Sequence, residues 1–308
     1  MISMSFRNPN FHFDVVKQRK KFFLFSGLLT IIGIVCLLTI GLKLGIDFES
    51  GTRVEIGGKN LNAEQLKTDF KELSLKPDGE PVISGKNNER ATVSFIGQFS
   101  RTEVANVNTM VTKKYGSVNI NTVSPDVGRE LARNALISVL IASIGIIIYI
   151  SFRFEWLMSI SAIVGLLHNA FLIVAVFSIL RLEVDLTFIA AVLTIVGYSV
   201  HDTIITFDRI RENMKFTKVK TTADLYKVIN DSIMQTLTRS INTVVAVLIT
   251  VVALLIFGNE SIRNFSIALL IGLVFGTYAS ICIASQLWYV LKSKQLKKPR
   301  VKEADNQA

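Results

Sequence analysis

Six long apolar runs dominate this chain and leave it little choice of fold. They are Phe22–Leu42, Ala135–Phe152, Trp156–Leu180, Leu186–Phe207, Ser240–Phe257 and Phe265–Leu291. Each is long enough to cross a hydrocarbon layer about 30 Å thick. Lipid offers nothing to an open backbone, so each run must close its own hydrogen bonds as a helix. Half of the 308 residues are hydrophobic, which is unusual for a soluble domain and follows from these runs. The first run follows Lys17, Arg19, Lys20 and Lys21, as the core of a signal peptide would. Its apolar stretch is about twice the usual length and no A-x-A-like site follows, so it reads as a retained helix.

The net charge of +10 points to topology rather than to nucleic acid. Basic residues crowd the N-terminal segment 1–21 and the connection after the fourth span, with Arg209, Arg211, Lys215, Lys218, Lys220 and Lys227. They crowd the tail 292–308 as well, with Lys292, Lys294, Lys297, Lys298, Arg300 and Lys302. Arg153 lies between spans two and three, whereas the two remaining short connections hold only Arg181 and Arg263. By the positive-inside rule both termini face the cytoplasm. Cys36 and Cys282 lie within spans and form no disulfide or zinc pattern.

Residues 43–134, between spans one (22–42) and two, form the one long connection and face outside. Thr52–Ile56 alternates like a strand. Asn62–Leu73 starts with an Asn cap and places Leu66, Phe70 and Leu73 at helical spacing. "PVIS" and "ATVSF" flank "GKNN" as a hairpin. Thr102–Gly116 is a helix with Val104, Val107, Met110 and Val111 on one face, and Val118–Val123 is a last strand. The order β-α-β-β-α-β is the ferredoxin-like pattern. The expected fold is therefore a polytopic helical membrane protein, with five spans packed into 135–291 and a small α+β domain outside. That domain has no Cys or His and no catalytic constellation, so it reads as a binding or bracing module.

Ionisable groups within spans are costly and mark pathways or relays. In the fourth span Thr194, Tyr198, Asp202 and Thr206 recur every four residues, with His201 alongside. Asp202 lies roughly 9 Å inside the inner edge of that helix, counting 1.5 Å per residue. On the fifth span Gln235, Arg239 and Thr243 share a face, with Asn242 beside them. Asp202 and Arg239 are thus expected at similar depth on consecutive helices, where each offsets the other's desolvation. Burial favours a neutral carboxyl and a nearby guanidinium favours the carboxylate, so a group between those influences takes up and releases a proton. A static ion pair joining two helices fits the same residues. His168 in the third span is a further polar candidate. H-E-x-x-H and G-x-S-x-G are absent, and no metal or enzymatic role is expected. Gly272, Gly276 and Ser280 form a small-residue stripe that permits close helix packing.

Several motifs resemble the SecD/SecF family of protein-export membrane proteins. "GIDFESGT" resembles G-I-D-F-x-G-G-T and carries Gly45, Asp47, Phe48 and Gly51. "SPDVGRELARNAL", "RFEW" with Arg153 and Glu155, "TLTRSINT", and "GYSVHDTIITFDRIREN" with Asp208 and Arg209 also match. The last is close to the SecF form. The resemblance implies a multi-pass subunit of the bacterial cell membrane that works with SecD, the SecYEG channel and the SecA motor on a translocating polypeptide. It implies no cofactor and no nucleic acid. It places the proton-coupling pair on Asp202 and Arg239, with His201, Tyr198, Thr206, His168 and Asn242 as supporting candidates. A structural scaffold, or a half-size exporter of the related resistance-nodulation-division superfamily, are the alternatives. Four departures stand out: Ser50 replaces a signature Gly, His201 stands where Asn is usual, Asn169 stands where Asp is usual, and apolar "VVAVL" follows "TRSINT".

Overall fold

The computed structural model describes residues 14–85 and 87–297. The start of the N-terminal segment, Lys86 of the expected turn, and Lys298, Arg300 and Lys302 of the tail lie outside the described residues. In chain order the elements are α1 Arg19–Thr39, β1 Lys43–Leu44, α2 Ile46–Glu49, β2 Gly51–Gly57, α3 Ala63–Glu72, β3 Val82–Ser84 and β4 Arg90–Ile96. Then come α4 Arg101–Lys114, β5 Ser117–Val123, α5 Pro125–Arg153, α6 Trp156–Leu180, β6 Glu183–Val184, α7 Leu186–Phe216 and α8 Thr222–Phe257. The chain closes with α9 Arg263–Tyr278, a π-helical turn Ala279–Ala284, and α10 Ser285–Lys297.

Six helical segments are long and apolar enough to cross a membrane: α1, α5, α6, α7, α8 and the α9–π–α10 rod. They outrun the apolar stretches that announce them. α5 begins at Pro125, ten residues before its apolar run, with Ser124 capping and Pro at the first helical position. α7 continues past Phe207 to Phe216, because Asp208–Phe216 contains no Gly or Pro and Arg209 pairs with Glu212 one turn on. The basic connection expected there is therefore helix, and only residues 217–221 separate α7 from α8. α8 opens on a capping box, with Thr221 and Asp224 exchanging backbone-to-side-chain bonds of 2.9 and 3.1 Å.

Burial sorts the spans. Half of the apolar window of α7 is buried against 6% of that of α5, so α6, α7 and the last rod form the centre, while α1 and α5 lie at the rim. Phe207, Trp288, Ile229 and Met158 fill the core at the basic end. Phe177, Phe188, Ile195 and Leu273 fill it toward the sheet domain.

The small domain is a four-stranded sheet in the order β3-β4-β2-β5, with every neighbouring pair antiparallel. Val54, Ile56, Val93 and Phe95 pack on Leu66 and Phe70 of α3 and on Val107 and Val111 of α4. Asn62 caps α3 through Glu64 N at 2.9 Å, and Ser100 caps α4 in a capping box with Glu103. The sheet's other face is clipped to the span connections. Arg53 reaches Glu183 at 3.1 Å, Lys43 pairs with the same carboxylate at 2.9 Å, and Ser261 donates to Glu55 at 2.6 Å. A second, two-stranded parallel sheet ties β1 to β6, joining the exit of the first span to the entry of the fourth.

Candidate functional site: a polar layer inside the bundle

Asp202 is the one carboxylate deep among the spans, and it is 5% exposed. Ser240 Oγ on α8 donates to Asp202 Oδ1 at 2.6 Å. Asp202 Oδ2 has no hydrogen-bond partner among the described residues. Thr206, one turn along, is fully buried and donates to the Asp202 backbone carbonyl at 3.2 Å. Ser199 and Thr203 complete a polar face on α7, and Thr203 bonds Ser280 on the π turn at 2.8 Å.

The four-residue stripes read from the sequence are each rotated by about one residue. Thr194 is exposed and Tyr198 is half-buried, so the buried face of α7 is Ser199, Asp202, Thr203 and Thr206. On α8, Gln235, Arg239, Asn242 and Thr243 are all exposed, and the buried face is Thr236, Ser240 and Val244. Successive residues on a helix point about 100° apart, so a packing shift of that size exchanges Arg239 for Ser240. The expected contact between Asp202 and Arg239 is therefore not made: no ion pair or hydrogen bond joins them, and the Arg239 and His201 charges reach Asp202 only through space.

His201 is exposed. His168 lies beside the Ser26 backbone of α1, with both ring nitrogens unpartnered. Among the described residues no group of three His, Cys, Asp or Glu side chains could hold a metal ion. The residues that sequence reasoning missed are Ser199, Thr203, Ser240 and Ser280. Ser280 was in view only as the last member of a packing stripe.

The remaining motif residues build two supports. At the basic end, Arg153 Nη2 donates to Asp208 Oδ2 at 2.6 Å, tying α5 to α7. Arg209 Nε donates to Gln235 Oε1 at 2.5 Å and Asn213 Nδ2 to the same oxygen at 2.9 Å, tying α7 to α8. Glu155 accepts from Trp288 Nε1 at 2.9 Å and Lys292 Nζ at 3.1 Å, tying α6 to α10. At the sheet end, Gly45 N donates to Val184 O at 2.8 Å, and Asp47 Oδ2 accepts from Leu186 N at 3.1 Å, the first amide of α7. A carboxylate there offsets the positive helix end, and Asp185 caps the same turn through Phe188 N at 2.8 Å. A Cβ on Gly51 would stand 2.5 Å from Phe95 O, so no larger residue fits. Ser50 takes φ 64° and ψ 121°, a conformation that favours glycine, which explains why a second glycine is usual in that motif.

The model "Protein export membrane protein SecD/SecF, C-terminal" matches residues 103–294, and "SecD/SecF GG Motif" matches 37–59. The chain belongs to the SecD/SecF family. Protein translocase subunit SecF of Alicyclobacillus acidocaldarius is 40% identical over 93% of this chain and 95% of its own. Protein translocase subunit SecDF of Bacillus subtilis is 55% identical over 92% of this chain, which spans only 39% of that protein. A crystal structure of SecDF from Thermus thermophilus, a translocon-associated membrane protein, matches with a TM-score of 0.80 at 30% identity, over 92% of this chain and 39% of that one. SecDF in a super-membrane-facing form matches with a TM-score of 0.67 at 29% identity, over the same shares. The SecD/SecF family match covers both supports and the layer between them. It makes this a multi-pass membrane protein with one small sheet-containing domain.

Proposed function

We propose that this chain is the SecF-type accessory subunit of a bacterial Sec translocase, coupling the proton-motive force to outward movement of secreted polypeptides. Its termini lie in the cytoplasm, and its sheet domain lies outside. The observation that carries the reading is Asp202: a buried carboxylate within a family motif, held by one serine and open at its second oxygen. A carboxylate in that state exchanges a proton with little rearrangement of its surroundings, which is what ion coupling needs.

A second membrane subunit of SecD type completes the assembly. Its support is physical as well as familial. Arg239 stands on an exposed face of α8 at bilayer depth, where a guanidinium facing lipid is costly. A partner helix covering that face removes the cost. The shorter match to SecDF chains agrees, since about three fifths of such a chain lies beyond this one. The SecYEG channel and SecA motor are the remaining partners. The relatives are named as translocase subunits, which favours transport over catalysis.

The test replaces Asp202 by Asn in cells that depend on this chain and follows export of a secreted reporter. Export is expected to fall to the level seen without the chain, at normal protein abundance. Unchanged export overturns the coupling reading and selects the scaffold reading, which the helix-joining pairs at the basic end favour.

A further inference from the structure

The last span is not one α-helix. Residues Ala279–Ala284 form a π-helical turn, an element that occupies well under 1% of residues in proteins and gathers at functional sites. Side chains of the same span add to the turn's own backbone bonds, in which Ser285 N donates to Ser280 O. Ser285 Oγ donates to Ser280 O at 2.8 Å, and Gln286 Nε2 to Ile281 O at 3.4 Å. The turn therefore has side chains built to hold it.

What the turn presents is Ser280, 1% exposed. Its hydroxyl bonds Thr203 at 2.8 Å and lies 3.5 Å from Ser199 O. Thr203 follows Asp202 directly on α7, so this bond lies one residue from the carboxylate. Four residues earlier, Gly276 lets the last span close onto this layer: a Cβ there would stand 3.0 Å from Asn169 Nδ2 and 3.6 Å from Ser199 Oγ. Asn169 is fully buried, yet neither its Nδ2 nor its Oδ1 has a partner among the described residues. Asn169, Ser199, Ser280, Thr203 and Asp202 thus form a continuous polar file between α6, α7 and the last span. Orphaned buried amide and carboxyl atoms cost about 1–3 kcal/mol each, and buried water is the usual way to satisfy them.

We infer that this file, walled by the π turn, is the hydrated path that serves Asp202, and that Ser280 is a positioning residue for its proton exchange. The inference rests on the coupling reading above. The proton arrives as hydronium, adds to Asp202 Oδ2 and leaves water in the file. Ser240 meanwhile holds Oδ1, so only one oxygen is free to accept. The other ionisable groups near Asp202 are His201 on its own helix, Arg239 on α8 and His168 on α6. The first two lie on exposed faces and the third turns to α1, so none closes the file.

The experiment uses the full chain. Export is measured for Ser280→Ala, Ser280→Thr and Asp202→Asn. The carbonyl stretch of the protonated Asp202 carboxyl, identified by its loss in Asp202→Asn, is read by infrared difference spectroscopy on the purified protein. Loss of the Ser280–Thr203 bond next to this group predicts roughly tenfold slower export in Ser280→Ala, with recovery in Ser280→Thr. The carboxyl band is expected to shift in the first variant and return in the second. Normal export in Ser280→Ala, while Asp202→Asn fails, overturns the inference and leaves the coupling reading standing. Slow export with an unmoved band also overturns it, because packing alone then explains the loss. Normal export in Asp202→Asn removes both readings. If Ser280→Ala does not assemble, Thr203→Val removes the other half of the same bond and is judged by the same outcomes.

Discussion

Two polar layers cross one bundle, and they solve opposite problems. At the basic end, Arg153, Asp208, Arg209, Gln235, Glu155 and Lys292 are matched in ion pairs and hydrogen bonds that join five helices. Water reaches that level, so charge is cheap there and each pair is a modest tie. Deeper in the bundle, a handful of hydroxyls surround one carboxylate, and Asn169 and Asp202 have side-chain atoms without a protein partner among the described residues. Polar groups there are few and costly, and protein atoms alone do not satisfy them. The contrast separates a layer built to hold the helices from a layer poised to change state.

That contrast can be broken by measurement. The largest stability effect is expected from Glu155→Ala. It strips the acceptor from Trp288 Nε1, whose side chain is fully buried, and from Lys292. A loss of about 1–3 kcal/mol is expected, read as a lower melting temperature of the purified chain. Asp202→Asn, which stops export on the coupling reading, should leave melting within about 1 kcal/mol, because the side chain is nearly isosteric. If the two variants melt alike, the division between a holding layer and a working layer is wrong.

Ser50→Gly sharpens the picture at the sheet end. The φ of 64° strains a serine, and glycine relieves it, so the variant should gain about 1 kcal/mol in melting. A destabilised Ser50→Gly would mean that the hydroxyl is held for another purpose.

The smallest effect lies in the water-exposed domain, where a carboxylate is tuned by hydrogen bonds alone. The amide and hydroxyl of Ser100 hold Glu103 below its ordinary value of 4.5. A lowered folded-state value stabilises the domain above the unfolded value, and that contribution is lost as pH falls through the folded one. Glu103→Gln keeps a capping box but removes the titration. The acid limb of the domain's unfolding, followed by circular dichroism, should therefore lose part of its slope in this variant. An unchanged acid limb would show that the cap does not contribute.

Much of this was legible in the residues themselves. The six spans follow from apolar length, since the bilayer permits little else. The strand and helix order of the domain follows from period-two and period-three-to-four patterning, with Asn62 as a cap. Asp202 stood out because a lone acid in an apolar helix is conspicuous on any packing. Its partner was not legible. Arg239 and Ser240 are neighbours on one helix, and choosing between them depends on a rotation of about 100° that no single-helix pattern records. The π turn was equally hidden, because "ASICIA" has ordinary helical residues and its extra residue is accommodated by contacts with α6 and α7. The sequence by itself determined which segments cross the membrane and which acid is buried there, since solvent and hydrophobicity act on each segment alone. The tertiary structure alone decided which hydroxyls meet that acid, since facing is a property of helices packed together.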